Sequence, residues 1–314
     1  MTRAFVFPGQ GSQAVGMGRA LVEAFPVARE VFEEVDEALK QRLSRIMFEG
    51  PESELVLTEN AQPALMAVSL AVVRVLEREA GLRVVQAGAF VAGHSLGEYS
   101  ALAAAGAIGV ADTARLLKRR GRAMQRAVPV GEGAMAALIG ADLETARAIA
   151  EAAAEDEVCA IANDNAPGQV VISGHKAAVE RAIALAPERG IKRSIMLPVS
   201  APFHSPLMRP AAEEMEKALA AIVIAPPRLP LVANVTAAPV SDPDTIRRLL
   251  VEQVTGLVRW RESVEAMKER GVDTLVELGA GKVLTGLTKR IDRDLTALAA
   301  GAPDEIEVLA KALA

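Results

Sequence analysis

At 314 residues, 51% of them apolar and 24% charged, the chain is long enough for one large α/β domain, or a main domain with an insert, around a substantial core. Its formal net charge of −5 argues against wholesale nucleic-acid binding, and no stretch joins basic residues to a long apolar run, so neither a signal peptide nor a transmembrane span is expected. A single cysteine, Cys159, excludes an internal disulfide framework, metal-ligand spacings are absent, and a reducing cytoplasm fits best.

Arg3 to Phe7 reads as a first strand, ending in the loop Pro8-Gly9-Gln10-Gly11-Ser12-Gln13. That loop is either a plain turn or a place where small residues let backbone N–H groups approach a ligand. Amphipathic helices are predicted near Val15 to Phe25 and Val27 to Arg42, then a polar, turn-like stretch from Pro51 to Glu59. Asn60 is placed as the N-cap of a long apolar helix over Ala61 to Ala80, with Pro63 tolerated in its first turn and Gly81 ending it.

The chain is organised around the next stretch. Ala89 to Ala92 is an apolar run without alternation, read as a buried strand, and Leu96 to Ala105 is an alanine-rich helix. Between them lies Gly93-His94-Ser95-Leu96-Gly97, a G-x-S-x-G pentapeptide in the strand–turn–helix context of a nucleophile elbow. Side chains at Gly93 or Gly97 would collide with so sharp a turn, and the new helix aims its unpaired N–H groups back at the serine. A helix from about Asp112 to Ala127 follows, with the basic cluster Lys118, Arg119, Arg120, Arg122 and Arg126.

From Gly131 the pattern changes. Ala134 to Ile139 (strand), Leu143 to Ala154 (helix behind Asp142), Val158 to Ala162 (strand), Gln169 to Ser173 (strand), Lys176 to Ala186 (helix) and Lys192 to Val199 (strand) give the order β-α-β-β-α-β, the split unit of ferredoxin-like folds. Asn163 to Gly168 is read as a turn inside it. RNA-binding modules share this order but stack bases on aromatics, and 131–199 contains no Phe, Tyr or Trp. Ser200 to Pro206 is a proline-pinned loop. Helices over Leu207 to Ala221, Asp242 to Val254 and Arg261 to Arg270, and strands over Leu229 to Val235 and Thr274 to Leu278, complete a largely parallel α/β pattern. The loop Gly279-Ala280-Gly281-Lys282 lacks phosphate-loop spacing and reads as a packing turn before a helix from Val283 to Ile291; a short helix, Asp304 to Leu313, follows.

A serine at such a turn needs a base and oxyanion donors. Of three histidines, His204 is the best-placed base, His94 adjoins the serine and reads as support for the elbow, and His175 reads as a surface turn residue. Spacing alone does not pair any of them with Ser95.

Four segments then carry a resemblance: Phe5 to Gln13, Gly93 to Ser100, Phe203-His204-Ser205 and Gly281 to Leu287. In this order they resemble the malonyl-CoA:acyl carrier protein transacylase family of bacterial type II fatty-acid synthesis, from Phe5 to about Ile291. The resemblance implies an α/β-hydrolase-like domain over 1–130 and 200–314 with a ferredoxin-like insert over 131–199. It implies Ser95 as nucleophile, His204 as base, the N–H groups of Gln10 and Leu96 as oxyanion hole, and the Gln253 carbonyl as the group that orients His204. Arg120 would clamp the malonyl carboxylate, and Phe203 matches the malonyl-selective form. Malonyl-CoA and phosphopantetheinylated acyl carrier protein are the implied substrates, with no metal or redox cofactor, and a cytoplasmic monomer is expected. An acidic carrier would dock on basic residues, for which Lys118, Arg122, Arg126, Lys192, Lys282, Lys289 and Arg290 are candidates. Ala280 departs from the family's usual proline. Two rivals remain: a serine esterase, which needs a buried Asp or Glu between Ser95 and His204 in sequence as third triad member, and a non-catalytic carrier-binding module.

Overall fold

The structure is a computed structural model and describes residues 1–313. Among these residues ten strands form two sheets. β1 (Arg3–Phe7), β2 (Phe90–Gly93), β7 (Leu231–Val232), β8 (Pro239–Val240), β9 (Thr274–Leu278) and β10 (Thr296–Ala300) make the larger, in the order β10-β9-β1-β2-β7-β8. Every pair in it is parallel except β7 with β8. Side chains alternate between its faces, as a strand period of two requires. Phe5, Phe7, Val91 and Leu278 join one core with the helices Pro26–Leu39, Thr58–Glu79, Val110–Ala127 and Arg209–Ala220. Ala4, Val6, Ala92 and Leu275 pack on the opposite face with the helices Trp260–Glu269 and Val283–Ile291. Covering both faces is what a parallel sheet demands.

The smaller sheet comprises β3 (Gly133–Ile139), β4 (Cys159–Ala166), β5 (Gln169–His175) and β6 (Arg193–Met196), ordered β4-β5-β3-β6 and antiparallel throughout. With the helices Leu143–Ala154 and Lys176–Leu185 it makes the expected β-α-β-β-α-β unit. Ala134, Ala136, Leu138, Val170 and Ile172 face those helices, whereas Met135, Ala137, Ala162 and Val171 face the larger unit. The face of this sheet turned away from its own helices helps wall the cavity described below, through Met135.

Several local expectations are corrected. β4 runs on through Asn163, Asp164 and Asn165, leaving only Pro167-Gly168 as the turn. Two register shifts absorb the polar residues, and a second backbone partner sits outside the sheet: Val258 N–H donates to Ala162 O at 2.9 Å and Asp164 N–H to Val258 O at 3.0 Å. Asn60 is no cap; the long helix starts at Thr58, and Asn60 is buried inside it, donating to Glu54 O at 2.8 Å and accepting from Lys118 Nζ at 2.7 Å. His175 is half-buried at the end of β5, where its Nδ1 accepts from Val158 N–H at 2.9 Å. The helix expected from Val15 spans only Arg19–Ala24, and the turn-like stretch after Pro51 holds a short helix, Glu52–Leu55. β10 is alanine-rich and carried no strand signal; it forms because β9 offers it a full parallel edge.

Candidate active site

β2 ends at Gly93 and the helix Gly97–Ala104 starts four residues later. A Cβ on Gly93 would lie 1.9 Å from the Gly97 carbonyl carbon, and one on Gly97 2.2 Å from Phe7 O, so the turn closes only with glycine at both places. It forces Ser95 to φ 53°, a left-handed conformation that costs a non-glycine residue about 1–3 kcal/mol. Asn234 holds that strain from the side: its Oδ1 accepts the Ser95 N–H at 2.8 Å and its Nδ2 donates to Gly93 O at 2.7 Å. His94 diverges from Ser95, as expected of neighbours on a sharp turn. Its Nε2 lies 2.8 Å from Asn165 Oδ1 on β4, and its ring packs against Trp260.

His204, 109 residues away in sequence, meets the serine: Nε2 lies 2.8 Å from Ser95 Oγ. Nδ1 lies 2.9 Å from Gln253 O, a pure acceptor, so Nδ1 carries the hydrogen and Nε2 is left to accept from the hydroxyl. The loop is fixed by Ser205 Oγ donating to Pro202 O at 2.7 Å, with His204 itself at φ 55°. Burial, then the nearby Arg120 charge, pushes the His204 pKa down to about 3, so the ring is neutral at physiological pH. Among the described residues two buried acids lie between them in sequence, and neither contacts His204: Glu98 meets Gln253, and Asp164 pairs with Arg261. A backbone carbonyl thus occupies the place of a triad carboxylate.

Arg120 lies on the helix Val110–Ala127. Its neighbour Gly121 lets that helix touch the Thr58–Glu79 backbone, since a Cβ there would lie 2.5 Å from Glu59 Cα. The guanidinium is 1% exposed and reaches Gln62 Oε1 and Gln253 Oε1 at 2.8 Å each, Ser95 Oγ at 3.2 Å, and the Tyr99 ring at 5.7 Å. None of these partners is a carboxylate. Burial pushes the Glu98 pKa up to about 8, so at neutral pH Glu98 is largely protonated and does not cancel the arginine's charge.

Ser95, His204, Arg120, Gln10, Leu96 and Phe203 share one cavity of about 590 Å³, within the usual range for a small-molecule site. Gln253 stands behind it. The N–H groups of Gln10 and Leu96 donate to no carbonyl or side chain among the described residues. A relay fixes this wall: Thr58 Oγ1 donates to Gln10 Oε1 at 2.8 Å and accepts from Gln62 Nε2 at 3.0 Å, which turns Gln62 Oε1 toward Arg120. The sequence reading missed Gln62, Asn234, Glu98 and the Gln253 side chain. Only Glu98 carried a signal, an acid inside an otherwise apolar helix.

Other expectations sort differently. Lys118 is buried, pairing with Glu59 at 2.9 Å; Arg122 pairs with the same carboxylate at 2.7 Å and Lys282 with Glu305 at 2.6 Å, so these cations already have counter-charges. Arg290 is exposed and donates to Gln169, while Arg126, Lys192 and Lys289 are exposed. The Gly279–Gly281 loop is a packing turn: the Glu277 carboxylate takes the N–H groups of Leu284 and Thr285 at 3.1 and 2.7 Å.

The family model for the acyl transferase domain matches residues 4–300. The malonyl CoA-acyl carrier protein transacylase of Escherichia coli K12 is 49% identical over 300 residues, covering 96% of both chains. The crystal structure of acyl-carrier-protein-S-malonyltransferase from Bartonella henselae superposes with a TM-score of 0.97 at 58% identity, covering 100% of this chain and 99% of the other. A malonyl-transacylase solved in complex with a type II polyketide-synthase acyl-carrier protein superposes with a TM-score of 0.96 at 43% identity, covering 99% and 100%. With its serine elbow, neutral histidine and uncancelled arginine in one cavity, the chain belongs to the acyl transferase family, among relatives named malonyl CoA-acyl carrier protein transacylases.

Proposed function

We propose that the chain takes the malonyl group of malonyl-CoA onto Ser95 and passes it to the phosphopantetheine thiol of an acyl carrier protein. Arg120 carries this reading: a buried guanidinium with no carboxylate partner among the described residues, 3.2 Å from the nucleophilic oxygen. In a malonyl thioester one methylene separates the carboxylate from the carbon under attack, so a carboxylate on Arg120 sets the thioester at Ser95. An acetyl group leaves the buried cation unpaired. Phe203 lines the cavity beside His204 and limits the space for a branched acyl group.

In the first half-reaction Ser95 Oγ attacks the thioester carbon while His204 Nε2 takes its proton. The N–H groups of Gln10 and Leu96 meet the oxyanion, an arrangement in which one donor contributes about 3–4 kcal/mol in proteases. Collapse breaks the C–S bond, and His204 returns the proton to the CoA thiolate. In the second half-reaction the carrier thiol gives its proton to His204 and attacks the malonyl ester, and Ser95 leaves with that proton. The Gln253 carbonyl keeps the tautomer correct through both halves. The reaction as written balances without metal or redox cofactor. The complex of a similar malonyl-transacylase with an acyl-carrier protein supports the carrier as partner. Exposed Arg126, Lys192, Lys289 and Arg290 are the candidates left to receive an acidic one. No described helix is long and apolar enough to cross a membrane, and action in the cytoplasm as a monomer is part of the proposal.

Intact-mass spectrometry after mixing with malonyl-CoA tests it. A malonyl adduct is expected on the wild type, absent in Ser95→Ala and discharged by holo acyl carrier protein. Hydrolysis of malonyl-CoA without an adduct would indicate the esterase instead.

A further inference from the structure

Gln253, on the helix Pro243–Thr255, is fully buried and faces the site twice. Its main-chain carbonyl accepts from His204, while its side chain enters a separate network. Oε1 accepts from Arg120 Nη2 at 2.8 Å. Nε2 donates to Ser95 O at 2.9 Å, to Asn234 Oδ1 at 3.3 Å and to the Glu98 carboxyl. The surroundings fix this orientation. Flipping the amide would set its NH2 against the guanidinium and its oxygen against two pure acceptors, Ser95 O and Asn234 Oδ1.

We propose that the Gln253 side chain is a positioning residue for acyl selectivity: it aims Arg120 at the acyl carboxylate and locks the guanidinium to the Ser95 turn without spending its charge. The inference rests on the reading that Arg120 binds the malonyl carboxylate. Neutrality is the point of the arrangement. Two glutamine carbonyls, from Gln62 and Gln253, aim the guanidinium through charge-assisted hydrogen bonds and leave its full charge for the substrate. A carboxylate at either place would form an internal ion pair and compete with malonate. Because the main-chain carbonyl of the same residue orients His204, one helix register sets the distance between carboxylate recognition and the proton acceptor. A substrate whose carboxylate fits Arg120 then has its thioester in line with the base.

Gln253→Glu and Gln253→Met test this, since both keep the main-chain carbonyl and approximate the side-chain size. Acylation kcat/KM is measured with malonyl-CoA and with acetyl-CoA on the full chain. Gln253→Glu is expected to lower the malonyl/acetyl ratio at least tenfold, mainly through malonyl-CoA KM, because its carboxylate pairs with Arg120. Gln253→Met is expected to lower the ratio three- to tenfold, because Arg120 loses its aim. An equal loss on both substrates, or no change, overturns the inference; should Gln253→Glu not fold, Gln253→Met decides alone by the same criterion. Arg120→Met separates the two claims. If it leaves the ratio unchanged, the reading of Arg120 has failed; if it collapses the ratio while the Gln253 variants do not move it, only the role of Gln253 is overturned.

Discussion

Arg120 in the catalytic cavity and Arg261 at the seam between the two sheets sit in opposite electrostatic surroundings. Arg261 reaches from the helix Trp260–Glu269 to Asp164 on β4, with Nη2 and Nε donating to Oδ2 at 2.8 and 3.0 Å, and Nη1 meets Glu265 at 2.9 Å. Asp164 is 1% exposed, so its charge is matched where water cannot reach it. Arg120 is withdrawn just as far, yet only neutral oxygens and an aromatic face touch it. The balanced cation fastens β4 beside the Val258 backbone contacts. The unbalanced one, on the proposed reading, keeps its charge for an anion that arrives with the substrate. A counter-charge marks a cation that fastens elements together; a buried arginine without one marks a candidate site.

On the proposed mechanism both halves of the reaction use His204 as the base, so its loss should have the largest effect. His204→Ala is expected to slow acylation of Ser95 about 10²–10⁴-fold in single-turnover measurements, the usual contribution of a positioned general base. The seam should behave differently. Arg261→Met strands the buried Asp164 carboxylate and is expected to cost about 1–3 kcal/mol of stability in urea unfolding, less than a fully buried pair because Arg261 is partly exposed. Its malonyl/acetyl ratio should stay at the wild-type value; a fall would mean that the seam also sets selectivity. The smallest effect is in pH. With the His204 pKa lowered to about 3 by burial and the Arg120 charge, the free base stays unprotonated, so acylation kcat/KM should be flat between about pH 5 and 7. An acid limb near the ordinary histidine value would show a solvated ring. The same shift makes the native state bind fewer protons than the unfolded chain below about pH 6.5, so this contribution to stability is lost as pH falls from there toward 3.

What was legible in the sequence follows from how local the cause is. The elbow is fixed in part by a steric contact within five residues, Gly93 against Gly97, while Gly97 itself is required by Phe7 on the neighbouring strand; both glycines announce it in the pentapeptide. The order β-α-β-β-α-β was readable because apolar runs and helix periods alternate there, with Asp142 capping its helix as expected by accepting from Thr145 N–H at 2.7 Å. The strand through Asn163, Asp164 and Asn165 was hidden, because its polar residues are satisfied by Val258, Arg261 and His94 from distant elements. The Ser95–His204 pair had no spacing signature, and Gln62, Asn234 and Gln253 gain meaning only where four elements converge. Resemblance pointed to Arg120, and geometry supplies the reason: the charge is left open by neutral partners.

The measurement closest to the central claim is the ratio of Ser95 acylation rates with malonyl-CoA and acetyl-CoA in the wild type and in Arg120→Met. One or two charge-assisted hydrogen bonds, at about 1.5–3 kcal/mol each, predict a fall in that ratio of at least about tenfold, with acetyl transfer largely kept. An unchanged ratio in a folded variant that still acylates Ser95 would contradict the account.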